Sequence, residues 1–476
     1  MRVGSALLLA GLTLLVAGCG GGGGRNALPA AADIVPASAA ALITIDTDTA
    51  SAEWHDVRRL ARRFPDGRRE LENLDFLRPG LGPELDVVWL DFRNGGDEVM
   101  LTKPKTSAGY RRLLAPGDLF ASERIGDWVV ISGDQTLIGD FKRLSRGKKL
   151  RQDSNFRAAM ADVEPQAAVR AWARGAVVQE FLDDALERSG APPHLTPEVG
   201  RLESLSASIG AEAKGVRFEG GIAVDPALAP EPFAATLPRE LPAGALAYVS
   251  ANSLDDMTRT VLRLVARSFP NFERQLSQVE AVLGFQVRTD VLPLLAHEAA
   301  FAIYPARPLP TFVVVIKVGD TAKAKRIFGR LAAAVALGAS IHMRTIPVGG
   351  VDVTELDFPR ASGPPVKTYF AAFAGKFAFT TAESTMRQLV QGPSAALDAD
   401  RAFEAAEDDA DMPAKTAGFA YANLRDGLPF AFRLAEARGG VVPPEARTNT
   451  RPLRTALVYA HEDGKLLRLS GFATIK

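Results

Sequence analysis

Cysteine is almost absent. Cys19 is the only one in 476 residues, so the folded body has no thiol pair for a disulfide and no CxxC pair for metal or redox chemistry. Histidine is scarce as well, and His55, His194, His297, His342 and His461 are scattered with no two at metal-ligand spacing. Net charge is missing, because Lys plus Arg and Asp plus Glu both number 56, which removes the global field that would draw the chain to nucleic acid. There is no GxSxG elbow for a serine nucleophile and no GxxxxGK[ST] loop for phosphate. No cofactor is implied. No apolar run long enough to span a bilayer follows residue 18, so stability has to come from packing alone.

What is present begins at the N-terminus. Arg2 precedes an apolar stretch from Val3 to Ala17, and Leu15, Val16, Ala17 and Gly18 lead directly to Cys19. A basic start, a short apolar core and small residues before a break read as an export signal. Because the small residues end on the sole thiol, the pattern resembles the lipobox of bacterial lipoproteins. That resemblance implies a signal peptide over residues 1–18, cleavage before Cys19, diacylglycerol on its sulfur and acylation of the new amino terminus. Gly20 to Gly24 makes residues 19–29 a flexible tether. Two or more acyl chains, at about 0.8 kcal/mol per buried methylene, anchor a protein stably. The expected location is the extracytoplasmic face of a cell membrane.

The remainder reads as one module written twice. Val35, Pro36, Ala37 and the apolar run Ala41 to Ile45 are answered by Leu241, Pro242, Ala243 and Ala245 to Val249. Trp128 to Ser132 is answered by Phe377 to Thr381, Ser154 to Ala159 by Asp400 to Ala406, and Ala168 to Ala173 by Ala417 to Ala422. Each copy closes on a hairpin, Ser204 to Val224 and Thr455 to Ile475, the latter with an Asp463, Gly464 turn. Pro226, Pro230, Pro232 and Pro238 mark the connection. The expected domains are a first module over 30–226, a Pro-rich linker over 227–235 and a second module over 236–476. Short alternating strands, amphipathic helices and closing hairpins give α+β, a mainly antiparallel sheet in each copy with helices packed on one face. Asp48 or Ser253 is suited to cap the helix after the first strand, and Ser253 with Asp256 resembles a capping box.

One further resemblance is carried by landmarks in the second copy. Leu292, Leu294, Leu295, Ala296, His297, Glu298 and Ala299 to Ala302 precede a Asp320, Thr321 helix start, a Val348, Gly349, Gly350, Val351 turn and the strand at Phe377. This order resembles the bacterial lipoproteins grouped as domain of unknown function 3352. Where members of that family carry Trp, Leu, Gly and an acid, this chain has Leu294, Leu295, Ala296, His297, Glu298. The family is uncharacterised, so the resemblance implies fold and anchoring and supplies no catalytic residue.

The constellations with chemical meaning are few. His297, Glu298 begins like HExxH, but Phe301 stands where the second imidazole is required, which leaves a strand-edge histidine. Asp183, Asp184 and Asp408, Asp409 are neighbours in sequence, point apart on a helix and read as solvating groups. Arg58, Arg62, Lys142 and Lys149 belong to two basic clusters, read either as solvated helix faces or as contacts for anionic lipid. Trp54, Trp89, Trp128 and Trp172 read as packing, with a ligand groove as the alternative. No catalytic or metal residue is assigned. The functional expectation is a non-enzymatic binding or structural module of the cell envelope, held to the membrane through lipid on Cys19 and engaging a protein or envelope component. An envelope hydrolase with a dispersed site and a lipid or small-molecule carrier are the alternatives. If Cys19 is the lipid acceptor, Cys19→Ala will yield a folded protein that leaves the membrane fraction and incorporates no labelled fatty acid; a mutant that stays membrane-bound beside an unlabelled wild type defeats that reading.

Overall fold

The computed structural model describes residues 28–77, 81–92, 97–106, 120–188, 202–223, 231–269, 271–339, 341–359, 366–463 and 466–476. Cys19, its tether, His194 and the Asp463, Gly464 turn's second residue lie outside them. Among the described residues no helix is long and apolar enough to cross a membrane.

The first half contains strands β1 (Ala41–Asp46), β2 (Glu84–Trp89), β3 (Glu98–Thr102), β4 (Ala121–Ile125), β5 (Trp128–Ser132), β6 (Val169–Arg174), β7 (Ser204–Glu212) and β8 (Gly215–Ala223). Its helices are α1 (Ala52–Ala61), α2 (Gly67–Leu77), α3 (Gln135–Leu144), α4 (Ser154–Met160) and α5 (Gly175–Arg188). The second half contains β9 (Ala247–Ala251), β10 (Ala299–Tyr304), β11 (Thr311–Lys317), β12 (His342–Val348), β13 (Val351–Phe358), β14 (Val366–Phe373), β15 (Lys376–Thr380), β16 (Gly418–Asn423), β17 (Leu453–Asp463) and β18 (Leu466–Ile475). Among these run α6 (Leu254–Ser268), α7 (Phe272–Leu283), α8 (Thr321–Gly338), α9 (Glu383–Gln391), α10 (Arg401–Asp409), α11 (Leu424–Ala437) and α12 (Pro444–Asn449).

Local chemistry accounts for the boundaries. Ser51, not Asp48, caps α1, its hydroxyl accepting the Trp54 N–H at 3.3 Å, and the helix then buries Trp54, Val57 and Leu60 as one stripe. Ser253 does not form a capping box: it sits at φ 54° and makes no side-chain cap bond, because its left-handed backbone turns the hydroxyl away from the helix start. Asp153, Asp320 and Asp400 do cap α4, α8 and α10 through their carboxylates. Gly349 and Gly350 both have positive φ and close the β12–β13 hairpin, a turn that L side chains resist.

All the strands belong to one 18-stranded sheet, and every pairing is antiparallel. Its two halves meet where β8 pairs with β18, with Ala223 opposite Leu466 and Gly215 opposite Thr474. Outward from that seam the order is β7, β6, β1, β2, β3, β5, β4 on one side. On the other it is β17, β16, β9, β10, β11, β15, β14, β13, β12. Polar contacts brace the seam: Lys214 Nζ reaches Asp409 at 2.6 Å, Arg217 reaches Asp411 at 2.8 Å, and Thr474 donates to Asp409 at 2.9 Å. Asp409 is therefore a paired group under the sheet and not the solvating acid expected from its neighbour Asp408.

Helices cover both faces, which corrects the expectation of one. In the second half Ala300, Val315 and Ala378 pack with Met386, Leu389 and Phe403 of α9 and α10, while Ala299, Ile316 and Phe377 pack with Ala324 and Ile327 of α8. In the first half Leu42 faces Ile138, Phe141 and Phe156 of α3 and α4, and Ile43 faces Trp54 and Leu60 of α1. Successive residues of β1, β10, β11 and β15 are apolar, so neither side of those strands can be left to water. A Cβ at Gly215 would meet the carbonyl oxygen of Ala473 across the seam, whereas one at Gly220 would meet only the Phe218 ring at 3.3 Å. Gly215→Ala should therefore lose about 1–3 kcal/mol in urea denaturation, the usual cost of forced overpacking, and Gly220→Ala clearly less; equal losses would show that the seam is not the tight point.

Candidate functional site

The feature that no internal packing explains is an apolar row across the sheet. Side chains alternate faces along a strand, so β7 puts Ser204, Ser206 and Ser208 on one side and Leu205, Ala207 and Ile209 on the other. In β8 Arg217 and Glu219 alternate with Val216, Phe218 and Ile222, and in β18 Arg468 and Ser470 alternate with Leu467 and Leu469. The registers align the apolar sets. Phe379, Val314, Phe301, Val249, Ala420, Val458, Gly471, Phe218, Ile209, Val169, Ile45 and Leu85 stand opposite one another in turn, one from each of twelve strands. At roughly 4.8 Å per strand the row is about 50 Å long.

The row is covered toward both ends and open between them, since Val314 and Phe379 pack against the α8 cluster. In the first half α1 lies over the row and leaves Val169 only 8% exposed, with Trp54, Val57 and Leu60 buried against it. In the second half Val249 is 43%, Phe301 37% and Val458 38% exposed, and Phe312 stacks beside Phe301 with centroids 6.2 Å apart. Helix α6 follows β9 as α1 follows β1, yet it packs on the single turn Leu292–Leu295 and α7. Met257 and Val261 of α6 and Val282 of α7 are exposed on the same side. This open region offers apolar contact and no nucleophile or base.

Two glutamates, Glu298 buried and Glu84 half-buried, hold the segments that lead into each half. Glu298 accepts the N–H groups of Thr236 and Leu237 at 2.8 Å each and the Thr236 hydroxyl at 2.7 Å, and it pairs with Lys317 at 3.2 Å. Glu84 accepts the Ala31 N–H at 3.2 Å and lies 3.7 Å from Arg170. Here the surroundings diverge. Asp86, two residues after Glu84, is fully buried, accepts the Thr44 hydroxyl at 2.6 Å on one oxygen and has no partner on the other. Burial first, then the Glu84 charge, pushes its carboxyl well above the ordinary range, and burial also lowers the Arg170 guanidinium. Sequence reading missed this cluster, because Glu84, Asp86 and Arg170 carry no spacing signal until the β1–β2 and β1–β6 registers bring them together.

The family model described as "Protein of unknown function (DUF3352)" matches residues 86–461. The chain belongs to the DUF3352 family. No curated protein matches it. Among solved structures, crystal form IV of TP0453 is 10% identical over 41% of this chain and 82% of that one, with a TM-score of 0.25. Crystal form III gives 8% identity over 44% and 90%, with a TM-score of 0.26. A likeness of this size carries no argument about fold or function.

In this DUF3352 chain the basic residues singled out from sequence do not form one patch. Arg58 and Arg62 lie on or just after α1, whose apolar stripe packs on the Ile43 side of the sheet, and Arg58 donates to the Thr49 carbonyl at 3.0 Å. Lys142 lies on α3, on the Leu42 side, paired with Glu123, and Lys149 is part of the Pro36 bridge. A flat bilayer can meet one pair or the other. Trp54, Trp128 and Trp172 are buried in the packing clusters. Among the described residues no three His, Cys, Asp or Glu side chains are placed to hold a metal ion.

A groove of about 470 Å³ lies between the 233–239 segment and α10, lined by Phe233, Asp398, Glu407, Asp408, Asp411 and Met412 among others. Burial, with Asp398 and Asp408 nearby, pushes Glu407 up to about 7. Arg239 engages Asp398 at 3.4 Å and Arg217 engages Asp411 at 2.8 Å, so two of these acids are already paired. For the HExxH-like stretch the consequence is testable. Glu298→Ala strands several donors and Lys317 and should cost about 3–5 kcal/mol, while exposed His297→Ala should stay within about 0.5 kcal/mol. Zinc should shift the melting temperature of neither; a zinc-dependent rise abolished by His297→Ala would make the pair a metal site.

Proposed function

We propose that this DUF3352 chain is a lipid-anchored extracytoplasmic lipoprotein, built as two copies of one module, that binds a partner on the open stretch of its apolar sheet face and catalyses no reaction. The copy reading is supported by strand order. β1 lies between β2 and β6 as β9 lies between β10 and β16, and β5 lies between β3 and β4 as β15 lies between β11 and β14. Pro36 bridges Lys149 and Pro242 bridges Ala396, and each entry segment is held by its glutamate. Among the described residues the two strands without a counterpart, β12 and β13, extend the second half alone.

The observation that carries the binding reading is the exposure of Val249, Phe301 and Val458 in a row covered by α1 on one side of them and by α8 on the other. What covers the first-half end is an amphipathic helix with Trp, Val and Leu on one face, so a helical segment of a partner protein suits the open stretch. A carrier of acyl chains is the second reading, supported by the same unbroken apolar row. The hydrolase reading would rely on Glu407, beside which Asp398 and Asp411 are already taken up by arginines. The anchor is supported by Cys19 alone, at the end of its apolar run.

A benzophenone amino acid at Phe301 or Val458 of the full chain, irradiated in intact cells, should give a discrete protein adduct. The same probe at Ser206, on the opposite face, should not. A lipid-mass adduct at Val458 favours the carrier, and equal adducts from Ser206 and Val458 remove the face as a site.

A further inference from the structure

We propose that Glu84 and Asp86 form a proton-operated latch that fastens the segment entering the first half to the sheet. The segment carries Ala31, Ala32 and Val35, each fully buried, and Glu84 grips it at the Ala31 N–H. Glu84 and Asp86 are two residues apart on β2 and therefore share a face. The charged and titratable groups around Asp86 come from every neighbouring element: Thr44 and Asp46 on β1, Glu84 on β2, Lys103 after β3 and Arg170 on β6. Asp46 is already held by the Ser51 hydroxyl at 2.9 Å and the Asp48 N–H at 2.7 Å. Arg170 and Lys103 are thus shared between Glu84 and Asp86, and with Asp86 protonated Glu84 keeps both cations.

The second half supplies an internal control. Glu298 performs the same grip on Thr236 and Leu237, but Ala300 stands two residues after it, opposite Ser250, which in turn faces Phe419. The structural task of holding an entry segment therefore needs the glutamate and its lysine only. Asp86 and Arg170 are additions, confined to the half that leads back toward Cys19.

Asp86 has a raised folded-state pKa, so the stability it contributes is complete below the ordinary carboxylate range and is lost as pH rises through the raised value. Ionised, it places a second buried negative charge beside Glu84, and the relief available is to open the entry segment and admit water. Opening should then become easier by up to tenfold per pH unit between the ordinary carboxylate range and that raised value, and level off above it. Release of residues 28–40 would add up to roughly 45 Å of chain at about 3.4 Å per residue. That consequence for reach from a membrane rests on the lipoprotein reading, whereas the latch does not.

The test is hydrogen exchange on the full chain between about pH 5 and about pH 8, a range in which buried carboxyls titrate, corrected for intrinsic rates. Protection of the Ala31, Ala32 and Val35 amides should fall by about tenfold or more as pH rises, while that of Leu237 and Leu241 stays level. Asp86→Asn, which keeps an acceptor for Thr44, should abolish the fall. Level protection at Ala31 to Val35, a parallel fall at Leu237 and Leu241, or an unchanged slope in Asp86→Asn each overturns the latch. The wild-type comparison of the two segments decides the matter even if the variant does not fold. Loss of membrane anchoring in Cys19→Ala would leave this result untouched, so the two readings fail separately.

Discussion

The pairing of β8 with β18 is the constraint on which the rest of the molecule depends. It makes one sheet out of two sets of strands, and its register decides what each face is made of. Because side chains alternate with a period of two, a slip of one residue at this seam would bring Arg217 and Glu219 into line with Leu469 and Val458, and Phe218 into line with Arg468 and Ser470. The actual register instead carries an apolar row unbroken from Leu85 to Phe379. Lys214, Arg217, Asp409 and Asp411 lie where they hold that register, and Gly215 allows the backbones to approach.

The buried charges follow a different logic. Burying an ion is costly unless it is paired and its hydrogen-bonding capacity is filled. Glu298 meets that condition with two backbone N–H groups, a hydroxyl and Lys317, which explains why an acid can sit at the foot of an otherwise apolar strand. Glu84 occupies the corresponding place beside its own entry segment. Asp86 does not meet the condition, since one oxygen has only Thr44 and the other has nothing, and burial pushes its carboxyl well above the ordinary range. A group of this kind adds nothing to packing, so its presence in one half and the alanine in the other separate scaffold from device.

The stretch of the apolar row under α1 and the open stretch around Val249 share an origin in strand pairing and differ in what the following helix does. After β1, Ser51 starts a ten-residue helix that lies over β7 and buries Trp54 and Leu60. After β9, Ser253 takes a left-handed conformation, and the longer α6 turns onto the Leu292–Leu295 turn. The backbone conformation of one residue at the helix start thus goes with whether Val249 and Val458 meet a helix or remain open. A run of exposed apolar side chains of this kind is the usual mark of an interaction surface.

Composition and local pattern by themselves determined a good deal. They settled the α+β class, the antiparallel pairing, the Gly349, Gly350 turn and the helix start at Asp320, because each follows from residues close together in the chain. His297 and Glu298 lack the second imidazole that HExxH spacing requires, and the role of Glu298 in holding Thr236 was invisible in the sequence. Only the tertiary structure decided that helices cover both faces, that Arg58 and Lys142 lie on opposite sides, that Asp409 is an ion-pair partner of Lys214, and that Asp86 and Arg170 share one face. Those facts depend on strand registers between residues 40 to 250 positions apart. Register is set by the summed packing of whole faces and not by any local signal, so a single sequence names the residues that must be buried without saying which of them will meet.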